Sequence, residues 1–106
     1  MTVLELTKEN FEAEAVNAKE TVLIDFWASW CVPCQMLSPT VDEIAEEDHP
    51  GLKVCKANID EQPELADRFG VMSIPTLVVL KNGKPAATSV GVRPKAAILE
   101  LIASAK

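Results

Sequence analysis

Cys31 and Cys34 are separated by two residues, with Pro33 just before the second thiol and a helix-period pattern after it. Thiols three positions apart at the start of a helix share one face, within reach of a short disulfide. The thiolate is the nucleophile in disulfide exchange, and the free N–H groups and positive dipole end of a helix favour it. Cys31, at the N-terminal lip beside Trp30, is placed to meet a substrate; Cys34 lies a turn further in and is expected to be less exposed. The competing readings are a pair of ordinary core thiols and half of a zinc site. A structural zinc usually takes four Cys or His ligands, and here only Cys55 and His49 could complete the set, neither at ligand spacing. A lone Cys-x-x-Cys near a βαβ pattern reads as redox, so no metal is expected.

Asp25 is the other residue with chemical potential, because it interrupts the apolar run Thr21–Ala28. Desolvation there raises a carboxyl pKa and would let it exchange a proton near neutral pH. The plainer readings are an acid at a strand end open to solvent, or one paired with Lys56 for structure alone.

The elements that must hold these groups follow from the pattern of the chain. Val3, Leu4 and Leu6 give a short first strand, and Thr7 can cap a helix with apolar positions Phe11, Ala15 and Ala18. The run Thr21–Ala28 reads as a strand buried on both faces, the signature of a central parallel strand. Pro33 suits the first turn of the next helix, where Leu37, Val41, Ile44, Ala45 and Asp48 share a face. Pro39 is expected to kink that helix and His49-Pro50-Gly51 to stop it. Leu52–Ile59 is a further strand, and Asp60-Glu61-Gln62-Pro63 opens a short helix with Leu65, Ala66 and Phe69, ended by Gly70. Asn82-Gly83 between Thr76–Leu80 and Ala86–Val90 signals a hairpin. A last helix from about Pro94 buries Ile98, Leu101 and Ile102 and exposes Lys95 and Glu100. The order is β-α-β-α-β-α-β-β-α, an α/β fold with parallel crossovers followed by an antiparallel hairpin.

The 106 residues fit a single domain, 1–106, with 48% hydrophobic composition and no linker or repeat. A net charge of −6 argues against nucleic acid as a partner. Three cysteines are too few, and odd, for a disulfide-framed secreted domain. The N-terminal stretch does not read as a signal peptide, and no apolar run approaches the roughly 20 residues of a membrane helix. A soluble protein of a reducing compartment, with no membrane partner, is the expectation. Cys55 reads as a buried small hydrophobe and His49 as a solvated loop or cap residue.

Along essentially its whole length the sequence resembles the thioredoxin family. The matching words are Asp25-Phe26-Trp27-Ala28, Trp30-Cys31, Pro33-Cys34, Asn58-Ile59-Asp60, Ile74-Pro75-Thr76, Lys81-Asn82-Gly83 and Val90-Gly91. The resemblance implies a mixed five-stranded sheet flanked by four helices, and a protein disulfide reductase working in cell redox homeostasis. It implies that Cys31 attacks a substrate disulfide and that Cys34 resolves the mixed disulfide, with Asp25 taking the proton of Cys34. Lys56 matches the family lysine that tunes this acid. The family places a cis-proline, here Pro75, opposite the cysteines, with Trp30, Val32, Ile74, Gly91 and Val92 as the substrate rim and Trp27 packed behind. Gly91 is expected to be a place of close backbone approach. No bound cofactor is implied. The partners are disulfide-containing target proteins and a reductase, most often flavin- and NADPH-dependent, with a cytoplasmic monomer as the working form.

Two positions depart from the family pattern. Val32 stands before Pro33 where Gly is usual, so Val32 and Pro33 together tune a redox potential that does not carry over. Met72 stands where many relatives have a basic residue, which bears on partner choice. An oxidase or isomerase of shifted potential, or a binding module without redox turnover, are the alternatives.

Overall fold

The computed structural model describes residues 2–106. Its centre is β2 (Thr21–Trp27), in which every residue is buried except Trp27. A strand buried on both faces needs neighbours on both edges. It pairs in parallel with β3 (Leu52–Asn58) and antiparallel with β4 (Thr76–Lys81). β1 (Leu4–Glu5) and β5 (Lys84–Val90) form the outer edges, giving a five-stranded mixed sheet in the order β1-β3-β2-β4-β5. Three α-helices, α1 (Val32–Glu46), α2 (Pro63–Arg68) and α3 (Lys95–Ala105), and one π-helix (Glu12–Val16) complete the fold. This is the expected α/β thioredoxin fold.

The sheet divides the core in two. On one side Leu37, Val41 and Ile44 of α1 and Ile98 and Ile102 of α3 pack on Leu23, Val54 and Val79. On the other, Phe11, Ala15 and Leu65 pack on Val22, Ile24, Cys55 and Val78. The alternation of β2 side chains between these two clusters follows from the two-residue strand period.

Local departures from the expected elements have physical causes. Thr7 and Asn10 cap one another, each backbone N–H donating to the other's side-chain oxygen at 2.8 and 3.2 Å. The helix after them is wider than expected: Asn17 N–H reaches back five residues to Glu12 O at 2.9 Å. That extra width ends the helix before Ala18, which is only half-buried. Asp48 lies beyond the end of α1 and is exposed, whereas Pro39 sits inside the helix. Lys95 is not simply exposed. Its ammonium pairs with Glu43 at 2.7 Å and with Glu47, tying the start of α3 to α1. His49 also finds a partner, Glu47 Oε1 at 2.9 Å. At the hairpin, Asn82 and Gly83 both have positive φ, +54° and +77°, as a two-residue primed turn requires.

Candidate active site

The active-site loop leaves β2 at its carboxyl end and turns directly into α1. Cys31 is the N-cap of α1, with extended backbone (φ −90°, ψ 109°), and its sulfur accepts the Cys34 N–H at 3.2 Å. Pro33 lies in the first turn, where its missing N–H leaves no intrahelical bond unmade. Gln35 Nε2 donates to Ser29 O at 3.1 Å and closes the loop. A sulfur in this position receives an oriented N–H and the positive end of a 15-residue helix, both of which favour thiolate. Cys31 and Cys34 are joined as a disulfide, with Cα atoms 5.2 Å apart.

Burial does not distinguish the two cysteines as expected: they are 4% and 3% exposed. Their surroundings do. Cys31 opens onto an apolar groove of about 560 Å³ walled by Trp30, Val32, Pro33, Ile59, Met72 and Ile74. Cys34 faces a separate cavity of about 280 Å³, where Asp25, Trp27, Ser29, Gln35, Ser38 and Lys56 gather. One sulfur faces an apolar groove and the other a cavity that holds a buried acid.

The groove is exposed where it would meet a partner. Trp30 is 65%, Val32 62% and Met72 96% exposed, a concentration of apolar surface that solvent alone would disfavour. Trp30 is held in place by its indole N–H, which donates to Asp60 Oδ2 at 2.7 Å. Asp60 in turn is set by Asn58, whose side-chain oxygen accepts the Asp60 N–H at 2.9 Å. The Ile74–Pro75 bond is cis, and Ile74 O lies 3.8 Å from Cys31 Sγ, an acceptor for the S–H of the dithiol form. Gly91 N–H donates to Pro75 O at 2.8 Å, which brings the loop carrying Gly91 and Val92 beside the proline. Neither residue walls the groove itself. Gly91 is required for conformation and not for close approach: its φ is +94°, and a Cβ there would meet nothing within 4 Å.

Asp25 is 4% exposed, and its Oδ1 has no hydrogen-bond partner. Burial pushes its pKa up to about 7, against the opposing pull of the Lys56 ammonium and with help from Asp42 and Glu5. Lys56 is Asp25's register partner across the parallel pair, yet its ammonium pairs with Glu5 at 3.7 Å and lies 5.2 Å from the centre of the Trp27 ring. The acid is therefore neither open to solvent nor neutralised by a direct ion pair. Cys55 is fully buried and unpaired, and burial pushes its thiol up to about 12.

Sequence reasoning missed Asp60 as the anchor of Trp30 and Ser38 as a wall of the inner cavity. Asp60 stands 30 residues from its partner, and no local pattern announces the contact. Ser38 was detectable only by its spacing, four residues after Cys34 on the same helix face.

A dithiol–disulfide pair at the start of a helix, one sulfur open to an apolar groove and the other to a buried acid, defines an enzyme of thiol–disulfide exchange. The comparisons with known proteins agree. The sequence model described as thioredoxin matches residues 2–104. The chain is 46% identical over 102 residues to the thioredoxin of Bacillus subtilis (strain 168), covering 96% of both chains. It is 46% identical over 98 residues to that of Pyropia yezoensis and 43% over 97 residues to that of Rickettsia bellii (strain RML369-C), each covering 92% of both chains. The chain belongs to the thioredoxin family and is a dithiol–disulfide oxidoreductase, a protein-disulfide reductase by activity. Among the described residues no group of three or more His, Cys, Asp or Glu side chains could hold a metal ion. Nor is any helix among them long and apolar enough to cross a membrane.

Proposed function

We propose that the whole chain acts as one domain and reduces target disulfides with a fixed division of labour between its two sulfurs. Cys31 thiolate attacks one sulfur of the target disulfide, and the other target sulfur leaves as thiolate. Cys34 then attacks Cys31, the bond from Cys31 to the target breaks, and the Cys31–Cys34 disulfide forms as the electron pair leaves with the target. The proton lost by Cys34 passes to Asp25. The second attack gains from proximity because it is intramolecular. The observation that carries this reading is the opening of the two sulfurs onto different cavities.

Trp30 and Ile74 contact the substrate from the groove wall and Pro75, Gly91 and Val92 from the loops beside it, with main-chain groups beside Pro75 pairing with an extended target segment. Val32 and Pro33 tune the potential, and Lys56 tunes Asp25. The protein holds no cofactor of its own. A separate reductase, flavin- and NADPH-dependent, restores the dithiol, and disulfide-containing proteins are the targets. The working form is a monomer in the cytoplasm.

The test is reduction of insulin with dithiothreitol as electron source, by wild type and by Cys31→Ser. Loss of catalysis in the variant is the expected result. A rate independent of Cys31 would make the protein a binding module, and a dithiol potential far above that of a reductant would make it an oxidase or isomerase.

A further inference from the structure

The inner cavity has a polar wall that the exchange of sulfurs does not use. Ser38, half-buried on α1, lines it together with Asp25 and Cys34. A serine inside a helix either turns its hydroxyl back to the carbonyl of the preceding turn or points it away from the helix, and among the described residues the Ser38 hydroxyl, which lines the cavity, makes no hydrogen bond to the protein. Its hydroxyl is therefore free to serve the cavity. Cys34, Ser38 and Asp42 follow at four-residue intervals along one face of α1, and they pass from buried through half-buried to exposed. Lys56 lines the inner cavity and also a neighbouring surface hollow of about 270 Å³ bounded by Asp42 and Glu46. A graded path thus runs from the closed end of the cavity, where Asp25 Oδ1 lacks a partner, to the surface.

We propose that Ser38 sets the route by which Asp25 loses its own proton to solvent, the step that leaves the carboxylate able to accept the proton of Cys34. The inference rests on the reading of Asp25 as proton acceptor. The hydroxyl accepts a proton arriving from the Asp25 side, directly or through solvent in the cavity, and gives up its own toward the hollow at Lys56 and Asp42. Nothing is oxidised or reduced in this step, and the hydroxyl ends as it began. The charged groups facing Asp25 are Lys56 from β3, Asp42 from α1 and Glu5 from β1. None replaces Ser38, because Lys56 is paired with Glu5 and Asp42 lies at the outer end of the path.

The experiment is single-turnover resolution of a mixed disulfide with a disulfide-bonded peptide, measured from pH 6 to 9 for wild type, Ser38→Ala, Ser38→Thr and Asp25→Asn. The initial attack is measured separately in a Cys34→Ser background, where the reaction stops at the mixed disulfide. Ser38→Ala is expected to slow resolution about 3- to 10-fold near pH 7, leaving the attack unchanged. Ser38→Thr restores the rate, and so does added imidazole, which carries protons in place of the hydroxyl. Resolution in Ser38→Ala that matches wild type across the pH range overturns the proposal, provided Asp25→Asn is slow. Slowing that neither Thr nor imidazole relieves overturns it too, by making Ser38 a packing residue. If Asp25→Asn itself resolves at the wild-type rate, the reading of Asp25 fails instead, and this proposal with it.

Discussion

Asp25 and Lys56 stand opposite one another on adjacent parallel strands, yet the lysine turns to Glu5 and leaves Asp25 Oδ1 without a hydrogen bond. A buried carboxyl kept short of partners costs stability whenever it is ionised, and a structural acid would have been paired. The arrangement makes sense if the proton, and not the charge, is what the site needs.

That relationship has a stability consequence. The folded-state pKa is raised from 3.8 to about 7, so between these values the folded protein holds a proton the unfolded chain has lost. Stability therefore falls as pH rises through that window and levels off above it. Asp25→Asn is expected to remove the slope and to stabilise the protein at pH 8 by on the order of 4 kcal/mol. Urea unfolding of both forms from pH 4 to 8 measures it; parallel curves would contradict a buried, uncompensated Asp25.

Asp60 holds the Trp30 indole at the groove, so its removal frees the ring without touching either sulfur. Asp60→Ala is expected to raise KM for a protein disulfide a few-fold, consistent with about 1 kcal/mol for one hydrogen bond, with kcat nearly unchanged. Reduction of a small aromatic disulfide, which does not need the groove wall, serves as the control and should not move.

Val32 is 62% exposed on the groove beside Cys31, so its side chain serves contact more than packing. Val32→Gly is expected to raise KM for protein targets by about 5- to 30-fold, since burying such a side chain is worth about 1 to 2 kcal/mol. The same variant, equilibrated with glutathione, reads the contribution of Val32 to the potential. Identical KM and equilibrium constants in the two forms would make the residue neutral.

Cys55 offers a contrast among the thiols. It is fully buried with its thiol pushed up to about 12, so in the reduced native protein it should not react with iodoacetamide under conditions where Cys31, beside the groove, does. Its alkylation is expected only on unfolding, and mass spectrometry at pH 8 over minutes distinguishes the two behaviours.

Two glycines with similar backbone separate strain from collision. Gly83 has φ +77°, and a Cβ there would come within 2.6 Å of Val16 O, where the hairpin meets the π-helix. Gly70 has φ +63° with open space around it. Gly83→Ala should cost about 2 to 4 kcal/mol and Gly70→Ala only about 1 to 2. Equal losses in chemical denaturation would remove the packing part of the explanation.

Much of this protein is local in origin and therefore legible along the chain. The unbroken apolar run of β2 required neighbours on both edges, Pro33 suited only a first helical turn, and Asn82-Gly83 encoded a primed hairpin turn. Each depends on a few adjacent residues and on backbone sterics, which do not wait for the rest of the fold. The Cys-x-x-Cys spacing likewise determined the dithiol chemistry. Tertiary structure decided what surrounds it. The two sulfurs are almost equally buried, and only the packing of β2, β3 and the Ile74 loop around them turns one toward a groove and the other toward Asp25. Lys56 choosing Glu5, Lys95 bridging Glu43 and Glu47, and Asp60 holding Trp30 are contacts between elements distant in sequence. Periodicity specifies which face a residue occupies, but a charged or polar side chain selects its partner only when the folded chain brings several within reach.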